Sequence, residues 1–100
     1  MLRITLRDED DFNEFFFGIN SPKEKLYNSI IQSIETALMH GDDTAHFAEI
    51  TFLYGDVMDM GMEKRDWVEN LDNALKYFEK QDMFEKCAMI IKLIERINES

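Results

Sequence analysis

The stretch SPKEKLYNSIIQSIETALMHG, residues 21 to 41, constrains the fold more than any other part of the chain. Ser21 reads as an N-cap, Pro22 as the first helical residue, Glu24 as the reciprocal partner in a capping box and Gly41 as a left-handed stop. Between them Leu26, Ile30, Ile34 and Leu38, flanked by Tyr27, Ile31 and Ala37, recur at helical spacing. The pattern predicts a helix over residues 22 to 39. Its apolar face is too broad to leave in water, so the remaining segments must supply a surface that covers it.

Two segments of alternating pattern offer that surface. In MLRITLR the apolar Leu2, Ile4 and Leu6 alternate with Arg3, Thr5 and Arg7, the period-two signature of a strand with one buried face. HFAEITFLYGDVMDMGM places Ala48, Ile50 and Phe52 on one face, turns at Tyr54-Gly55-Asp56 and returns with Met58, Met60 and Met62 on one face, which predicts a hairpin. Helical spacing then resumes. Asp66 with Glu69, and Asp82 with Glu85, read as capping boxes opening helices over residues 66 to 80 and 83 to 98. Trp67, Leu71, Ala74 and Phe78 on the first face Met83, Cys87, Ile90, Ile94 and Ile97 on the second, as in an antiparallel helical hairpin. Trp67, Leu71, Phe78, Phe84, Cys87, Ile90 and Ile94 are expected to form one buried seam. The expected fold is therefore a single compact α+β domain over residues 1 to 100. It has a small antiparallel sheet of about three strands packed with three main helices. Residues 1 to 62 form its acidic strand, helix and hairpin part, and residues 63 to 100 its helical hairpin.

The segment RDEDDFNEFFFG, residues 7 to 18, crowds five carboxylates and four phenylalanines together. Phe12, Phe15, Phe16 and then Ile19 fall at helical spacing, Asp8 is placed to cap, and Gly18 stands where a left-handed stop belongs. A short acidic helix over residues 9 to 17 follows, with its first-turn acids favoured by the helix dipole. The chain as a whole carries a net charge of −10, unevenly spread. Residues 1 to 62 hold twelve acids against Arg3, Arg7, Lys23 and Lys25, and no Lys or Arg occurs between Lys25 and Lys64. A field of one sign repels nucleic acid and anionic membranes and attracts basic proteins. Asp8, Glu9, Asp10, Asp11 and Glu14, with Asp42, Asp43, Asp56 and Asp59, are the candidate partner-binding acids.

Signals for catalysis are weak. His40 and His46 flank Gly41, Asp42, Asp43, Thr44 and Ala45, a run explained by a polar helix-to-strand connection without any metal-ligand spacing. No glycine-rich phosphate loop occurs, and no nucleophile elbow surrounds Ser21, Ser29 or Ser33. Met58, Met60 and Met62 could hold a soft metal, but no second Cys or His supports that, and methionine is a common filler of strand cores. The single cysteine, Cys87, lies in an apolar helix seam and reads as a structural thiol in a reducing compartment. With neither a signal peptide in MLRITLRDED nor an apolar run of membrane-spanning length, the expectation is a cytoplasmic protein that is no enzyme and uses no cofactor or metal.

Residues 70 to 97, NLDNALKYFEKQDMFEKCAMIIKLIERI, resemble the UVR motif, the helical hairpin of the bacterial excinuclease subunits. That motif's second helix begins Phe-Glu-x-Ala-Ala, matched here by Phe84-Glu85-Lys86-Cys87-Ala88, while Ile91 and Lys92 replace its following Arg and Asp. The resemblance implies a regulatory or adaptor subunit that uses the hairpin for subunit contact. In composition the whole chain resembles the acidic DNA-mimic inhibitors of bacteriophages, including anti-restriction proteins. Duplex DNA carries about one charge per 1.7 Å of axis, and a protein with dense carboxylates can occupy the same basic groove. The partner expected on that ground is a basic protein surface, such as a DNA-binding enzyme or nucleoid protein. Direct binding to nucleic acid or membrane is not expected, and a homodimer is allowed.

Overall fold

The computed structural model describes residues 1 to 99. In chain order these form β1 (Leu2–Leu6), α1 (Glu9–Phe17), α2 (Lys23–His40), β2 (Thr44–Phe52), β3 (Val57–Glu63), a 3-10 turn (Lys64–Asp66), α3 (Trp67–Lys80) and α4 (Phe84–Glu99). The fold is α+β, with a three-stranded sheet in the order β1-β2-β3 and α3 and α4 as a C-terminal helical hairpin. The sheet is mixed, which corrects the all-antiparallel expectation. β2 and β3 form the antiparallel hairpin, but β1 runs parallel to β2, with Ile4 opposite Ile50. Alternation reports which side chains share a face and carries no information on strand direction. Parallel neighbours need a long crossover, and α1 and α2 together provide it.

The helices cover one face of the sheet. Across it run the rows Leu2–Ala48–Met60 and Ile4–Ile50–Met58, ending in the pair Leu6–Phe52. An extra residue in β2, Phe47, sits at a bulge between His46 and Ala48, and there Phe47 and Ala48 are both buried. The opposite face carries Arg3, Glu49 and Asp59 in one row and Thr5, Thr51 and Val57 in the next, all exposed or half-buried. The three methionines share the inner face, although burial grades along the strand from exposed Met58 to buried Met62.

Three expected helix signals are used differently in space. Ser21 does not cap α2. Its hydroxyl donates to the Phe15 carbonyl at 2.5 Å, and the Pro22 carbonyl accepts the first helical N–H, from Leu26, at 3.0 Å. Asp66 makes no side-chain cap either, because the 3-10 turn already leads the chain into α3. Asp82 adopts the left-handed conformation (φ 57°) and closes α3: Met83 N–H donates to Phe78 O at 3.0 Å and Asp82 N–H to Glu79 O at 3.1 Å. This pair of bonds is a Schellman closure, so the residue expected to start α4 instead ends α3. Gly41 does stop α2 as expected, with φ 71°. Gly18 does not use a left-handed backbone (φ −76°). It is needed because a Cβ there would lie 2.5 Å from the Glu14 carbonyl oxygen.

The core joins Ile30, Ile34 and Ala37 of α2, Phe47 and Ala48 of β2, Trp67, Leu71 and Phe78 of α3, and Cys87, Ile90 and Leu93 of α4. The expected seam is corrected at two positions. Phe84 is 69% exposed, and Leu93 is buried while Ile94 is only partly so. Helical spacing restricts the buried face to an arc, and contact with α3 rotates α4 within it. In α1, Phe12, Phe15 and Phe16 pack on Leu6, Ile50 and Phe52, whereas Ile19, expected to extend that stripe, is 98% exposed beyond the helix end. A paired measurement checks the rotation of α4. Ile90→Ala should cost about 2–5 kcal/mol in chemical denaturation, since Ile90 is fully enclosed. Phe84→Ala should change stability by no more than about 0.5 kcal/mol.

Candidate functional site

The opening segment places its acids through the short connection between β1 and α1. Asp8 has extended backbone (φ −160°), and its carboxylate accepts the Asp11 N–H at 3.0 Å, which is the cap expected from sequence. Asp11 points back to Arg7. Its oxygens accept from Arg7 Nε and Nη2, each at 2.9 Å, and from the Arg7 backbone N–H at 3.1 Å. Among the described residues Asp11 is thus the acid of this cluster that forms an ion pair, and Glu9 and Asp10 are exposed beside the cap.

That pairing has a pH signature. Hydrogen bonds from the Arg7 side chain, then from its backbone N–H, hold the Asp11 carboxyl down at about 2 from an ordinary 3.8, and the Arg7 guanidinium is raised in turn. A carboxyl lowered on folding stabilises the fold above its ordinary value, and that contribution is lost as pH falls through about 2. In a carboxyl-resolved NMR titration Asp11 should titrate near pH 2. Arg7→Ala removes the guanidinium but keeps the backbone N–H donor, and should bring it only part of the way back toward the ordinary range. A parent midpoint near the ordinary value would mean the pair does not form in solution.

Opposite the start of α1 stands the hairpin turn. Asp8, Glu9 and Asp10 line an open hollow of about 350 Å³ whose remaining wall is Tyr54. Tyr54 stacks on Phe52 (5.1 Å between centroids, 8° between planes), Phe52 meets Phe12 at 6.4 Å, and Phe12 meets Phe16 at 4.7 Å. Phe12 and Phe16 of the opening segment therefore tie the start of α1 to the hairpin turn that carries Tyr54, while Phe17 is 79% exposed. Partial desolvation first, and then the Asp56, Glu9 and Asp8 carboxylates, push the Tyr54 hydroxyl above its ordinary value. Sequence reasoning missed Tyr54 as part of this surface. Its signal was its place in the hairpin turn, which became informative only once the turn was known to meet α1.

The other candidate acids lie elsewhere. Glu14 is on the last turns of α1, folded toward Gly18. Asp42 and Asp43 are exposed in the connection before β2, at the far end of that strand, and the 9 residues of β2 span roughly 30 Å. Asp59 sits between the two ends on the open face of the sheet, directly across from Glu49, which has Arg3 on its other side. The structure thus joins Asp8, Glu9, Asp10 and Asp56 around Tyr54 and leaves Asp42, Asp43 and Asp59 as separate outposts.

His40 ends α2 and His46 lies in β2. A second, smaller hollow of about 200 Å³ runs between α2 and β2 past Ser33, Asp42 and His46, but the Ser33 hydroxyl donates to the Ile30 carbonyl at 2.7 Å. Among the described residues no group of three or more His, Cys, Asp or Glu side chains is placed to hold a metal ion. No described helix is long and apolar enough to cross a membrane. The chain matches no known protein family, curated protein or solved structure.

Proposed function

We propose that this chain is a small, non-catalytic, acidic interaction domain of the cytoplasm that docks on a basic protein surface. It does so as a DNA mimic that inhibits a nucleic-acid-binding protein. The observation that carries this reading is the frame of Asp8, Glu9, Asp10 and Tyr54, with Asp56 in the adjoining turn. Among the described residues none of these carboxylates forms an ion pair, and they gather around the stacked Phe52–Tyr54 pair. Such a surface offers charge to guanidinium or ammonium groups and a ring face for cation–π contact. Its rigidity lowers the ordering cost of docking. Immobilised protein should capture a basic partner from the source cell's extract at about 0.05 M NaCl and release it at about 0.5 M. Added duplex DNA should release it as well. A captured protein indifferent to both salt and DNA would overturn the reading.

A second reading rests on α4. Phe84 (69% exposed), Met89 and Ile91 (46% each) lie on its outer face, in the segment that resembles the UVR hairpin. In that reading the chain is a regulatory or adaptor subunit whose partner contacts are apolar. High salt would then leave the complex intact, and Phe84→Ala with Ile91→Ala would abolish it.

A further inference from the structure

β3 is an edge strand, and the direction of its free backbone groups follows from two hydrogen bonds. Phe52 N–H donates to Asp56 O, and Lys64 N–H donates to Asp43 O, each at 2.8 Å. The even-numbered residues of the return strand therefore turn their N–H and C=O toward β2. By the antiparallel alternation, Val57, Asp59, Gly61 and Glu63 turn theirs outward to the free edge. Proteins usually blunt such an edge with lysine, proline, a bulge or an inward-pointing charge. Val57–Glu63 contains no Lys, Arg or Pro, its three inward residues are methionines, and the sheet's bulge lies in β2. The other edge strand, β1, is shorter and carries Arg3.

The edge also complements itself. Antiparallel pairing of two β3 strands through their outward groups allows three central registers. Centred on Asp59, the pairing sets Asp59 against Asp59 of the other copy. Centred on Gly61, it sets Asp59 against Glu63. Centred on Met60, Asp59 faces Gly61, Val57 faces Glu63, and no carboxylate stands directly opposite another. In that register Met58 meets Met62 on the inner face, Met60 meets its own copy, and the 40% exposed Met58 gains cover.

We infer that the free edge of β3 pairs with the same edge of a second copy of this chain. The two strands run antiparallel about a two-fold axis at Met60, and the two sheets become one. Each edge residue then donates one N–H and accepts another, an isologous contact. The inference is independent of the acidic docking reading, and the two respond oppositely to salt. Two copies of charge −10 repel, while main-chain pairing and methionine contact are indifferent to charge, so added salt strengthens the dimer.

Sedimentation equilibrium on the full chain at up to about 1 mM protein tests this. The mass should rise from 11.9 kDa toward twice that value, further at about 0.5 M than at about 0.05 M NaCl. Asp59→Pro keeps the pairing with β2, because the Asp59 N–H faces outward, and should weaken dimerisation at least about tenfold through two lost donors per dimer. A second arm does not depend on that variant folding well. Met60→Cys brings two Cα atoms to about 4.5 Å, within disulfide reach, and should cross-link on mild oxidation. Asp59→Cys and the parent, whose Cys87 is buried, should not. A monomer under all conditions, a dimer that Asp59→Pro leaves intact, or equal cross-linking through Asp59→Cys would overturn the inference.

Discussion

Replacing Trp67 with alanine is expected to lower the unfolding free energy by about 3–5 kcal/mol, the largest single-residue effect in the chain. Trp67 is fully buried at the first turn of α3, where the chain passes from the sheet into the helical hairpin. Its Nε1–H donates to the Met62 carbonyl at 2.9 Å, so one side chain fills the core between α2, β3 and α4 and also ties the end of β3. Alanine leaves a cavity and removes the hydrogen bond to Met62. A domain of this size has about 5–15 kcal/mol of stability, and each kcal/mol moves Tm by about 4–8 °C, so the variant should melt at least 12 °C lower by about the same rule. Trp67→Phe refills most of the volume but not the hydrogen bond, and should lose about 1–3 kcal/mol. A loss below about 1 kcal/mol for Trp67→Ala, read by urea denaturation, would show that sheet and hairpin are not held together at this point.

The second large effect concerns binding. Glu9→Gln, Asp10→Asn and Asp56→Asn together remove three negative charges from around Tyr54. They leave Asp8 as the α1 cap and Asp11 in its pair with Arg7. Association with a basic partner at low salt should weaken by about tenfold or more, each tenfold being about 1.4 kcal/mol. The dependence on salt should flatten, because fewer charges are screened. Far-UV circular dichroism should stay near the parent, and Tm should fall only modestly, since these exposed side chains give up no more than the helix-dipole contribution of Glu9 and Asp10, about 0.3–1 kcal/mol each. Unchanged affinity with an unchanged salt slope would make the frame ordinary solvated surface and leave the α4 face as the leading contact.

Particular residues show how far the candidate site could be read from the chain. Asp8 was legible as a cap because capping is settled within four residues, and Phe12, Phe15 and Phe16 were legible as an inward face because helical spacing is local. The engagement of Asp11 by Arg7 spans one helical turn, but it required knowing that the backbone folds back at Asp8. Tyr54 entered only through Phe52, which lies on a strand more than thirty residues from α1 in sequence. Asp42, Asp43 and Asp59 belonged to the same basic-free interval as Asp56, yet β2 holds the first pair about its whole length away from Asp56.

Local chemistry determined the elements themselves. Every expected helix and strand is present, because hydrophobic period is a property of short windows and survives any arrangement of its neighbours. Tertiary structure decided what periodicity is silent about. The direction of β1 depends on where α1 and α2 carry the chain, and alternation looks the same either way. The rotation of α4, with Leu93 inward and Phe84 outward, depends on the surface α3 presents. Ser21 and Asp82 could each satisfy more than one set of backbone groups. Ser21 was drawn to the Phe15 carbonyl, and Asp82 to the carbonyl ends of α3, because an unsatisfied helix end near the core costs more than an uncapped start open to water.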